Sequence, residues 1–143
     1  MSSALERLKK ITNKISSYEL ARKENITQLK ELYKEIGIDK KVEVFDALFD
    51  FKAINLSGIS LQEENIGEIK EGKYLQILAI LYDKEATVKS KNVSLAYFGR
   101  VENVDEAVRQ KVVEFVIRYR FEKSFINLEH YHAMLGNFKN EDE

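Results

Sequence analysis

The chain has 143 residues, with 23 Lys or Arg against 24 Asp or Glu and a net charge of −1; with a hydrophobic fraction of 44%, that is the profile of one folded domain, not of a disordered chain. It has no cysteine, which excludes disulfides, thiolate zinc sites and a cysteine nucleophile. The longest apolar run, Leu75 to Tyr82, is broken by Gln76 and far too short for a membrane span, and MSSALERLKK lacks a signal-peptide core, so a cytoplasmic protein is expected.

The charge is unevenly spread. Residues 1–41 carry ten basic against six acidic side chains, residues 42–88 four against nine, residues 89–123 eight against five, and the remainder from Ser124 one against four. Such blocks suit solvated faces, or complementary contacts within a fold or between subunits.

The first 36 residues read as one helix. Ser3 and Glu6 have the spacing of a capping box, and Gly37 supplies the left-handed residue that ends a helix, letting Ile38 fold back onto Leu32 or Tyr33. Between these ends an apolar heptad runs through Leu8, Ile11, Ile15, Tyr18, Leu29 and Leu32, with Arg22 and Asn25 on the same stripe. The stripe either covers the domain's own sheet, with a bend in its polar middle, or forms a coiled-coil seam in which Arg22 and Asn25 fix register. An unbroken helix of this length extends about 50 Å at about 1.5 Å per residue, so part of it should overhang and meet another chain. Leu8, Ile11, Ile15, Tyr18, Arg22, Asn25, Leu29 and Leu32 are therefore the expected oligomer interface, and a homo-oligomer the expected assembly.

Residues 42–56, VEVFDALFDFKAINL, support two readings. As a strand, Phe45, Ala47, Phe49, Phe51 and Ala53 share a face; as a helix, Asp39, Glu43, Asp46 and Asp50 form a polar stripe. The density of aromatics and the Ser57-Gly58 turn favour the strand. Ile66 to Lys70 and Lys73 to Tyr82 then flank Glu71-Gly72 as a hairpin, and YLQILAILY, apolar on both faces, predicts a central strand covered on both sides. Asp83 to Ala86 reads as a loop and Thr87 to Val101 as a further strand with a bulge at Gly99.

A helix is expected from about Asn103 to Lys123, with Val104, Val108, Val112, Phe115, Val116 and Tyr119 at helical spacing. Ser124 reads as the cap of a last helix that carries Phe125, Leu128, Tyr131 and Leu135 and stops at Gly136. Together these give a single α+β domain: a long N-terminal helix (1–37), an antiparallel meander of about four strands (42–101), two C-terminal helices (103–136) and an acidic, disordered tail (137–143).

Chemistry-bearing motifs are scarce. His130 and His132, two apart on a helix, diverge by about 200° and cannot share a metal there. The glycines are isolated and form no phosphate loop, and no GxSxG nucleophile turn occurs. Neither Asp46 with Asp50 nor Glu63, Glu64 and Glu68 comes with a partner motif that would complete a cation site. No catalytic residue, cofactor or metal ligand is therefore assigned. One basic cluster invites a nucleic-acid reading: Arg100, Arg109, Lys111, Arg118, Arg120 and Lys123, close in sequence to Tyr97, Phe98, Tyr119 and Phe121. Against it, Phe115 and Tyr119 fit a buried face, and a pI near 6.2 is low for such a binder. The expected function is that of a non-enzymatic interaction protein, an adaptor, chaperone or inhibitor of the kind mobile elements encode, self-associating through its N-terminal helix, with nucleic-acid binding as the alternative.

Overall fold

A computed structural model describes residues 3–82 and 91–138, without the side chains of residues 15 and 16. The expected loop at Asp83–Ala86, the first residues of the strand expected from Thr87, and most of the acidic tail lie outside that range.

The N-terminal helix forms as its sequence directs. Helix α1 spans Ala4–Ile36; the Ser3 hydroxyl accepts the Glu6 amide at 3.1 Å, and Gly37, at φ +88°, donates its amide back to Lys34 at 3.1 Å. Ile38, just past that turn, is fully buried in one cluster with Leu29, Leu32 and Tyr33.

Residues 42–56 contain no long strand. Phe45–Asp50 is a short 3-10 helix, and only Ala53–Ser57 forms a strand, β1. Aromatic packing decides the matter: Phe45 meets Tyr33 edge-on at 5.4 Å, Phe49 meets Phe45 edge-on at 5.7 Å, and Phe49 stacks on Tyr119 at 5.4 Å with rings 5° apart. A strand, rising about 3.3 Å per residue, would hold Phe45 and Phe49 about 13 Å apart; a helical turn brings them into contact and also buries Leu48. Asp46 and Asp50 remain exposed, as the helical reading of that segment requires.

The sheet is antiparallel and has three strands, in the order β1–β2–β3, rather than four. Strand β2 is Tyr74–Leu81 and β3 is Lys91–Arg100. The expected hairpin at Glu71-Gly72 is absent, because β2 pairs with β1 across a longer excursion, Ile54 opposite Ala79 and Leu56 opposite Ile77. Residues 66–70 contribute a single bridge, Ile59 to Ile69. Gly58 makes this path possible: its φ is +94°, and a Cβ there would lie 2.8 Å from the Tyr74 carbonyl oxygen, so no other residue fits the turn. The bulge expected at Gly99 is present, Leu75 facing Gly99 while Gln76 faces Tyr97.

The two expected C-terminal helices are one. Helix α2 runs unbroken over Glu106–Leu135. Ser124 does not cap a new helix; its hydroxyl donates to the Phe121 carbonyl at 2.6 Å, a back-bond that leaves the helix intact. No glycine or proline interrupts the segment.

Val112, Phe115, Val116 and Tyr119 of α2 join Leu29, Leu32 and Tyr33 of α1 over Ile54, Leu75, Ile77, Ala79 and Leu95 of the sheet, all buried. Helices thus cover one sheet face. Among the described residues the other face is not enclosed as expected: Leu78 and Ile80 are half-buried and Tyr97 is exposed.

Candidate interaction surface

The α1 seam divides at Arg22. Leu29 and Leu32 belong to the chain's own core, and Asn25 is 3% exposed; the expectation that these three serve a second chain is corrected, because α2 already covers them. Asn25 donates its amide to the Arg118 carbonyl at 2.9 Å, and its oxygen accepts from Arg118 Nη1 at 3.0 Å. Arg22 Nε donates to Glu122 at 2.6 Å, Arg22 Nη1 reaches Glu129, and the guanidinium lies 5.1 Å from the centre of the Phe125 ring. Partial burial alone would lower the Arg22 pKa, but the hydrogen bonds and charges of Glu122 and Glu129 outweigh it and hold it above its ordinary value. Polar residues in the seam do fix register, but that of α1 against α2 inside one chain.

Before Arg22 the seam is open. Every described side chain from Ser3 to Leu20 is exposed, and Leu5, Leu8, Ile11, Tyr18 and Leu20 are each 49–69% exposed. Ile15, expected in this stripe, has its side chain outside the described residues. The overhang required by helix length is therefore real.

Helix α2 overhangs too, in the same direction. The helices are antiparallel, Lys111 pairing with Glu35 at 3.1 Å and Arg22 with Glu122. Beyond the Arg22–Glu129 contact both continue: α1 toward Ser3, α2 toward Gly136. Leu128, Tyr131 and Leu135 on the α2 overhang are each 63–66% exposed, and Phe138 just beyond it is more so. These residues continue a stripe that starts in the folded body, through Ile117, Phe121 and Ser124, at alternating spacings of four and three. In the body the stripe floors an open trough of about 1030 Å³, walled by Ala21, Glu24 and Asn25 of α1 and by Ile66 and Ile69 of the loop before β2. Sequence reasoning split this stripe at Ser124. The unbroken four-three spacing from Ile117 to Leu135 was the signal for it.

The basic residues do not converge on one surface. Arg100 pairs with Glu102 at 3.0 Å and Lys111 with Glu35, and Arg118 is held by Asn25 and lies 3.4 Å from Glu114. Arg120 donates to Asn55 at 2.9 Å and Lys123 to the Phe49 carbonyl at 2.6 Å. Burial pushes the Lys123 ammonium below its usual range, partly offset by the charge of Asp50. Arg109 and Arg118 both line the trough, and the Nε of each is buried with no hydrogen-bond partner among the described residues. Of the aromatics, Tyr119 is buried and Phe121 packs edge-on to Phe125 at 5.0 Å; only Tyr97, beside Tyr74, offers an open ring.

His130 and His132 are exposed, and among the described residues no group of three or more acidic or histidine side chains is placed to hold a metal. No described helix is long and apolar enough to cross a membrane. No protein-family model, curated protein or solved structure matches this chain.

Proposed function

We propose that the protein is a non-enzymatic interaction module, of the adaptor, chaperone or inhibitor kind, that associates with itself through the N-terminal half of α1. The observation that carries this reading is the run of exposed large apolar side chains from Leu5 to Leu20 on a helix whose second half is fully engaged by its own fold. Contiguous apolar surface rimmed by charge marks contact sites on proteins, and Arg7, Lys9, Lys10 and Lys14 supply that rim. The groups with shifted protonation, Arg22, Tyr33, Glu102, Tyr119 and Lys123, are each tied into contacts that hold elements together, which supports a structural role for them and not a catalytic one. Five of the six cluster cations are likewise engaged within the chain, which weakens the nucleic-acid alternative.

Light scattering at roughly tens of micromolar tests the reading. The expected mass is a multiple of 16.7 kDa, and Leu8→Lys with Ile11→Lys is expected to return it to the monomer value with an unchanged circular dichroism spectrum. A wild-type protein that is monomeric under these conditions overturns it.

A further inference from the structure

We draw no further inference here: the strongest candidate, the open trough between α1, α2 and the loop before β2 with the exposed α2 stripe that continues it, carries nothing because no feature of the structure shows what covers it.

Discussion

Arg22 and Glu122, a hundred residues apart, are joined side by side, Arg22 Nε donating to the two carboxylate oxygens at 2.6 and 3.2 Å. Glu122 is 3% exposed, whereas Arg22 keeps about a third of its side chain in solvent. The carboxylate is thus the desolvated member and depends on its partner. Removing one member of a buried pair costs about 3–5 kcal/mol, because the other is left unpaired; the solvent at Arg22 places Arg22→Ala at or below the lower end. Replacing both, as Arg22→Met with Glu122→Leu, should recover most of that loss. Urea denaturation of the single and double variants checks it, and equal destabilisation by both would show that the pair itself supplies net stability.

The two faces of β2 should respond unequally to truncation. Ile77 is fully buried against the helices, so Ile77→Ala should cost about 2–5 kcal/mol through lost burial and an unfilled cavity. Ile80, half-buried on the opposite face, should cost clearly less. Denaturant midpoints of the two variants decide it; equal losses would mean that the second face is covered in solution, by another copy or another molecule.

Stability should decline in alkali. Burial raises the pKa of Tyr119, whose hydroxyl donates to the Leu48 carbonyl at 3.0 Å, with the charges of Tyr82 and Asp50 adding to the shift. Burial raises Tyr33 as well, followed by Asp39 and Glu43. Unfolded tyrosines ionise near about pH 10, while the folded chain keeps these two protonated, so above that pH the native state binds more protons and stability falls as pH rises. Lys123, with its folded pKa lowered, acts oppositely in the window just below its unfolded value of about 10.4; two tyrosines outweigh it. Phenolate absorbance should show late titration of two tyrosines, coincident with unfolding, and Tyr119→Phe should flatten the decline. Uniform titration of every tyrosine near pH 10 in a folded protein would contradict this.

Oligonucleotide affinity should be negligible even at low salt. Binding driven by phosphate contacts weakens steeply with added salt because counterions are released, and it needs cations free to face the strand. Arg100, Lys111, Arg118, Arg120 and Lys123 are each bound within the chain. Fluorescence anisotropy with single- and double-stranded probes at low salt would reverse this conclusion if it showed salt-sensitive binding weakened by Arg118→Ala and Arg120→Ala.

What could be read from sequence followed how locally each feature is encoded. Helix α1, its Ser3 and Gly37 ends, the bulge at Gly99 and the buried face of Val112, Phe115 and Tyr119 depend on neighbours a few residues away. The short helix at Phe45–Asp50 does not: its alternating aromatics fit a strand until Tyr33 and Tyr119, distant in sequence, supply ring contacts that reward a helical turn. Ser124 looked like a cap because serine serves at helix starts, and nothing local shows that its hydroxyl bonds backward. The seam was visible as a stripe, but whether α2 or a second chain covers Leu29 and Leu32 is decided by topology alone.

That topology also sets a timetable. Chains are made from the N-terminus at about 5–20 residues per second, and the α2 residues that hold Arg22 and Asn25 follow α1 by more than eighty positions. Helix α1 therefore emerges on the order of ten seconds before its cover exists, with Leu29 and Leu32 bare beside the half of the stripe that α2 never covers. On a messenger read by several ribosomes, neighbouring nascent chains would display these surfaces to one another before any of them has completed its fold.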